Sequence, residues 1–495
     1  MNTSRYDVCI LGAGPAGYAA ALRAHDLGRS ALLVERGRVG GAGIHEGALS
    51  SKTFWHLAYD YSRTARTDRG YRFEGVSLSY ADVMATVRAA VAERRATLEG
   101  QLATLARVSP HPPHDGHDGR AGHIQLERGV GRLIDAHTVE VTRDGADPRR
   151  FEADHIVIAT GSMPRRLEGI EIDGQRIVTS DHIESWEDFP KSMVIVGAGV
   201  VGCEYATIFA SFGRTKIHII DRQPRILPFE DDDVAAHIAR NFEAMGVVIH
   251  HESKLESLKA VEDGVEYVIS SPRGRETIHV ERALISVGRV PNTAGLGLEG
   301  VGVSVAKNGS VEVADTRTSV ANIYAVGDTT ADVALVNIAE LEGRHAVEKM
   351  FGLNPRPIPY EALSSIMFLR PEVAAVGLNE TQAKEKKVHY RVAVVHNALV
   401  NRCLAMRATD GFVKLLASPE GKILGLRVVG PQASTCIQGT AFLIELGATL
   451  EDIDRCVHPH PAITEGVQEC ARLLLGRSMH KVDAFGPELL RVGEG

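Results

Sequence analysis

Long apolar runs, paired cysteines and a basic surplus are all missing from this chain, and each absence removes a class of function. No apolar run reaches the roughly 18 residues of a membrane-spanning helix, so no membrane association is expected. Lys and Arg number 55 against 63 Asp and Glu, a net charge of −8. A nucleic-acid partner calls for a basic face, and none is expected here. The six cysteines, Cys9, Cys203, Cys403, Cys436, Cys456 and Cys470, form neither a C-x-x-C nor a C-x4-C pair. Metal or thiol chemistry is therefore disfavoured, and the expectation is buried free thiols in a reducing cytoplasm. The first strand pattern begins by Tyr6, which leaves no room for a signal peptide. The expected localisation is cytoplasmic.

What the chain does hold is two complete glycine fingerprints. The first is Gly12-Ala-Gly14-Pro-Ala-Gly17 and the second Gly197-Ala-Gly199-Val-Val-Gly202. Each follows a short apolar run and opens into an Ala-rich helical pattern. This is the strand–turn–helix setting in which a pyrophosphate rests on a helix N-terminus. Each is followed about 20 residues on by an acid that closes a second apolar run, as the ribose-binding pattern requires. Glu35 ends Ser30-Ala-Leu-Leu-Val, and Asp221 ends Lys216-Ile-His-Ile-Ile. Two such units predict two dinucleotide sites, and so a flavin exchanging hydride with a nicotinamide.

At roughly 150 residues per domain, the 495 residues suggest about three domains. From Ser79 a helix is predicted with an apolar stripe at Val83, Val87, Val91, Leu98, Leu102 and Leu105. The Pro-, Gly- and His-containing stretch from Ser109 to Gly122 reads as a surface loop. Past Pro355 the texture changes to strands at 391–395, 411–416 and 422–429, then helices at 433–447 and 462–476, without a third fingerprint. The fold class is α/β, two Rossmann-like dinucleotide-binding domains followed by an α+β domain.

The segment after Glu35 reads Gly40-Gly-Ala-Gly-Ile-His-Glu-Gly-Ala-Leu-Ser-Ser-Lys-Thr53. It resembles the Gly-Gly-x-Cys-x-x-x-x-Cys-x-x-Ser-Lys segment of the flavin disulfide oxidoreductases, such as dihydrolipoamide dehydrogenase. Gly43 and Ala48 stand where that family has its two redox cysteines. The resemblance runs through Ala159-Thr-Gly-Ser162, Gly288-Arg-Val-Pro-Asn292, Tyr324-Ala-Val-Gly-Asp328, Arg370-Pro-Glu-Val-Ala-Ala-Val-Gly377 and His458-Pro-His-Pro-Ala-Ile-Thr-Glu465. It implies an FAD-binding domain from 1–165 and 282–355, an NAD(P)-binding domain at 166–281, and a dimerisation domain at 356–495 that makes a homodimer. FAD is then expected at Gly12, Gly14, Gly17, Glu35, Gly41, Lys52, Gly131, Thr160, Gly161, Ser162, Asp328, Ala334, Leu335, Val336 and Asn337. NAD(H), with NADP(H) as the alternative, is expected at Gly197, Gly199, Gly202, Asp221 and Gly288. Arg222 and Arg225 lie close enough to Asp221 to complicate that choice. Asn337 departs from the histidine usual at its position.

The same resemblance assigns catalytic roles to Lys52 with Glu204, a pair beside flavin N5, and to His460 with Glu465, an acid–base dyad. With Gly43 and Ala48 in place of cysteines, electrons are expected to pass from NADH through FAD directly to a non-thiol small molecule such as a quinone. His45 and His56 add a second resemblance. Gly-x-x-x-His-x-Gly-x-x-x-Ser-Lys with a His four residues on is similar to soluble pyridine-nucleotide transhydrogenases. Transhydrogenation is one alternative, and a non-enzymatic flavin redox sensor or complex subunit is another.

Overall fold

The computed structural model describes residues 4–107, 122–330 and 333–495. Apart from Gly122, the stretch read as a surface loop lies outside the described residues, and His123 opens the strand His123–Arg128. The first sheet is built round Ser4–Leu11, which pairs in parallel with Ser30–Glu35 on one side and Arg149–Ile158 on the other. His123–Arg128 extends one edge in parallel, and Ile323–Ala325 pairs in parallel with Arg149–Ile158 from far along the chain. A parallel strand flanked on both sides and covered on both faces wants unbroken apolar sequence. Val8, Cys9 and Ile10 supply it, and all three are fully buried. Gly12 follows directly, at the carboxyl end of the strand, the edge where an open α/β sheet offers a ligand a place.

The second sheet repeats the arrangement. Val248–His250, Lys216–Ile220, Ser192–Val196, Arg282–Ile285 and Ile177–Val178 lie side by side in that order, all parallel. A three-stranded antiparallel sheet, Lys254–Val261, Gly264–Ser271 and Gly274–Val280, packs near it and shares one apolar core. The third unit is a six-stranded antiparallel sheet running Ser364–Met367, Val373–Gly377, Ile423–Val429, Phe412–Ala417, Arg391–His396 and Leu490–Glu494. Ala433–Glu445 and Glu465–Leu474 are its main helices. The second begins at Glu465 and not at 462, because the Ala462 N–H donates to Glu465 Oε2 at 2.8 Å and turns the chain before the helix starts.

The helix predicted from Ser79 is Tyr80–Leu105, with the Ser79 hydroxyl accepting from the Asp82 N–H at its start. Val87, Val91, Leu98 and Leu102 are buried along one face. All six cysteines are free and five are buried. Cys456, expected to be buried like the others, is exposed. It sits in the turn after the short helix Leu450–Arg455, beside Val457, which is 97% exposed.

One histidine pair in the second sheet, with His218 buried and His250 half-buried, gives the stability a pH dependence. His218 Nδ1 lies 3.1 Å from His250 Nε2, with the rings stacked. Burial, then His250 and Lys216, push His218 down from 6.5 to about 4. An unfolded chain takes up that proton below about 6.5 and the folded one only near 4, so the contribution of a neutral His218 is complete above pH 6.5 and is lost as pH falls toward 4. His218→Leu is therefore expected to flatten the acid limb of a denaturation-versus-pH series between pH 6.5 and 4 by about one proton. An unchanged slope would show that this pair does not govern it.

Candidate functional site

Both fingerprints place their glycines where side chains do not fit. Gly12 and Gly197 adopt left-handed backbone, with φ of +104° and +105°. A Cβ on Gly17 would fall 1.9 Å from the Gly12 carbonyl oxygen, and one on Gly202 would fall 2.1 Å from that of Gly197. The middle glycines differ, since a Cβ on Gly14 or Gly199 would meet nothing within 4 Å. The backbone there borders open space over the N-termini of the helices Pro15–Asp26 and Val200–Phe212, which favour a phosphate.

The two acids are held identically. Glu35 accepts from Ala13 N–H at 2.7 Å and Gly37 N–H at 2.6 Å. Asp221 accepts from Ala198 N–H at 2.7 Å and Gln223 N–H at 2.9 Å. Each carboxylate is fixed by two backbone donors and keeps lone pairs for ribose hydroxyls. Arg225 is committed elsewhere, donating to the Pro228 carbonyl at 2.9 Å and pairing with Asp232.

A cavity of about 940 Å³ opens beside the first fingerprint. Of the residues assigned to FAD from sequence, Gly12, Gly14, Glu35, Gly41, Lys52, Gly131, Thr160, Gly161, Ser162, Asp328, Ala334, Leu335, Val336 and Asn337 line it. Gly17 does not, and serves the helix–strand contact instead. Gly197, Gly199, Gly202, Asp221 and Gly288 are not among its lining residues. The helix that follows the second fingerprint reaches the cavity through Val200, Val201, Glu204 and Tyr205.

The lining suits FAD. The Thr160 hydroxyl is buried without a partner among the described residues, Gly14 leaves a space that a Cβ would narrow, and the N-terminus of the helix Val336–Met350 is at the wall. Asp328 Oδ2 accepts from the Ser162 hydroxyl at 2.5 Å, and Arg289 Nε donates to the same hydroxyl at 2.7 Å. Asn337 Nδ2 donates to the Ser364 carbonyl at 3.2 Å. His45 also lines the cavity, buried, with Nε2 donating to the Val39 carbonyl at 2.9 Å. His56 is exposed and outside the lining, 3.7 Å from Asp60.

Lys52 and Glu204, 152 residues apart, meet at 2.7 Å in the cavity wall. The second oxygen of the buried Glu204 accepts from the Phe368 N–H at 3.0 Å, and the Lys52 ammonium lies 5.2 Å over the Phe368 ring. Phe368 was not legible in the sequence, because its contribution is a backbone donor and a ring face. Gly43 and Ala48 line the same cavity. A Cβ on Gly43 would come 2.7 Å from Pro15 Cγ.

The other pair forms elsewhere. His460 Nδ1 lies 2.7 Å from Glu465 Oε1. Burial pushes the Glu465 carboxyl up, but the hydrogen bonds from His460 and the Ala462 N–H outweigh it and leave it below its ordinary range. The His460 side chain is 63% exposed, and neither residue lines the cavity of its own chain. Elsewhere in the same C-terminal unit Phe442, Leu446, Val457 and Met479 are also exposed.

The family model for pyridine nucleotide-disulphide oxidoreductases matches residues 6–343, and that for their dimerisation domain matches 363–471. The chain belongs to this family. Its cofactors are FAD and NAD(H), and it carries the domain through which the family dimerises. Among the described residues, no helix is long and apolar enough to cross a membrane. The dihydrolipoyl dehydrogenase of Geobacillus stearothermophilus is 33% identical over 477 residues, 96% of this chain and 97% of the relative. One from Bacillus subtilis is 31% identical over 490 residues, 96% of this chain and 99% of the relative. The crystal structure of LpdA from Mycobacterium tuberculosis superposes with a TM-score of 0.85 at 28% identity, covering 95% of this chain and all of that one. The flavoprotein disulfide reductase RclA of Escherichia coli shares the fold at 23% identity, with a TM-score of 0.82 over 96% of this chain and all of that one.

The glycine geometry separates the two cofactors experimentally. Gly202→Ala should leave the purified protein yellow but raise the NADH concentration for half-maximal flavin reduction about tenfold, the cost of overpacking a turn. Gly17→Ala should lower the FAD content itself. Absorbance at the flavin maximum and NADH titration check both, and an FAD loss in Gly202→Ala would contradict the assignment.

Proposed function

We propose that this chain is an FAD-dependent NADH oxidoreductase that works without a redox disulfide and delivers electrons directly to a non-thiol small-molecule acceptor, a quinone. One observation carries the reading. Gly43 and Ala48 line the cavity beside Ser51 and Lys52, and among the described residues no cysteine lines it. Neither side chain can attack or carry a disulfide. The division of labour that goes with it is FAD on 1–165 and 282–355, NAD(H) on 166–281, and dimerisation through 356–495.

FAD, when bound, supplies the two-electron chemistry between NADH and the acceptor. The chain's residues hold and polarise the reactants. Glu35 and Asp221 take ribose hydroxyls, and Asp221, fixed by two backbone donors, repels a 2′-phosphate and favours NADH over NADPH. Lys52, oriented by Glu204, sets a positive charge where negative charge gathers during transfer. Quinone reduction balances as NADH + H⁺ + quinone → NAD⁺ + hydroquinone, so a proton donor is needed. The exposed His460 fills that role in the dimer, each chain's imidazole serving the other's cavity while Glu465 holds its Nδ1–H.

Anaerobic stopped-flow tests this. The NADH-reduced protein should be reoxidised rapidly by a benzoquinone and not by lipoamide. His460→Ala should leave flavin reduction by NADH unchanged and slow quinone reoxidation about 10²–10⁴-fold, with a milder loss in Glu465→Gln. Robust lipoamide turnover would overturn the reading. Reoxidation by NADP⁺, with His460→Ala without effect, would replace it with transhydrogenation. Reduction by NADH with no acceptor turning over would favour a redox sensor.

A further inference from the structure

The second fingerprint is tied to the C-terminal six-stranded sheet by a continuous run of hydrogen bonds. It begins at Ala198, whose N–H fixes Asp221. The Ala198 carbonyl accepts from the Leu227 N–H at 2.9 Å, and the Leu227 carbonyl accepts from the Glu230 N–H at 3.0 Å. Leu227 is fully buried and adopts a left-handed backbone, φ 49°, which a branched side chain takes up only under constraint.

The constraint comes from the far end of the run. The buried Glu230 pairs with the equally buried Arg427 at 3.1 Å. Asn379 Nδ2 donates to the Phe229 carbonyl at 3.0 Å. Asp231 accepts from Lys414 Nζ at 2.8 Å and from the Thr381 N–H at 3.0 Å. Asp233 accepts from Lys414 at 2.7 Å and from Arg491 at 2.7 Å. Lys414 itself has no exposed surface and also meets Glu380 at 2.6 Å. Three carboxylates thus share two cations in a closed joint. Removing the central ammonium takes the cation from the buried Asp231 and leaves it facing the carboxylates of the part-buried Asp233 and Glu380.

We propose that residues 227–233 are a strut, and that Lys414 and Arg427 act through it as positioning residues for the nicotinamide nucleotide. They hold the Ala198 turn in the geometry that presents Asp221 to the ribose. The strut ends on the peptide that clamps the ribose-binding acid, so loosening the joint is felt first at the nucleotide site. This inference rests on NADH occupying the second fingerprint and is independent of the acceptor.

The test uses full-length, FAD-loaded protein carrying Lys414→Met, Lys414→Arg or Glu230→Gln. The NADH dependence of flavin reduction in stopped-flow gives both Kd and the limiting rate. Hydrogen exchange across 197–202 and 222–233 reports the strut without turnover. In Lys414→Met and Glu230→Gln, Kd should rise about five- to tenfold. The limiting rate and FAD content should stay within twofold, exchange in 197–202 should quicken, and Lys414→Arg should recover most of the affinity. If Lys414→Met does not fold, Glu230→Gln, which keeps the volume and one acceptor, carries the test. An unchanged Kd, or a parallel loss of FAD and NADH affinity, overturns the proposal. Failure of the unmodified protein to bind NADH would instead overturn the reading of the second fingerprint.

Discussion

The arrangement turns on one interaction made twice. A backbone N–H inside each glycine turn donates to the carboxylate at the end of the neighbouring strand, Ala13 to Glu35 and Ala198 to Asp221, both at 2.7 Å. The bond locks the turn at the tip of a buried parallel strand and aims the acid over the helix N-terminus. Because each carboxylate accepts from two backbone donors, it is held in one orientation beside a site that must also accept a pyrophosphate. The left-handed first glycine and the Cβ-free third glycine keep the turn that tight. The cavity opens beside the first clamp, and the run of hydrogen bonds from the C-terminal sheet ends on the second.

The clamps also explain which parts of the molecule were legible from sequence. Glycine spacing, an apolar run and a terminal acid are local signals, and the turns they predict are present at Gly12 and Gly197. The cavity lining was legible for the same reason, since its walls are turns and strand ends with motif-like residues such as Thr160-Gly-Ser162 and Asp328. What was not legible is carried by backbone groups or by distant pairing. The Phe368 N–H that orients Glu204 has no side-chain signature. The antiparallel sheet of residues 254–280 and the closing strand Leu490–Glu494 were not anticipated. The ion joint of Asp231, Asp233, Glu380, Lys414 and Arg491 gathers residues from four separated places, where charge in sequence reads only as surface. Cys456 shows the opposite failure, a residue type usually buried that ends up in an exposed turn.

Two acid–base pairs assemble in one chain, yet in different places. Lys52–Glu204 is built into the cavity wall, whereas His460–Glu465 lies in the dimerisation domain with its imidazole exposed. In the proposed function a single chain holds an incomplete site: the partner chain supplies the proton donor, and Gly43 and Ala48 put no sulfur between that donor and the flavin.

The central claim is that the flavin is the only redox group in each chain. Anaerobic reductive titration of the purified, FAD-loaded protein with dithionite measures this directly. Full reduction at two electrons per FAD, with no further uptake, is expected. Uptake of four electrons per FAD would reveal a second two-electron centre, a disulfide, and would contradict it.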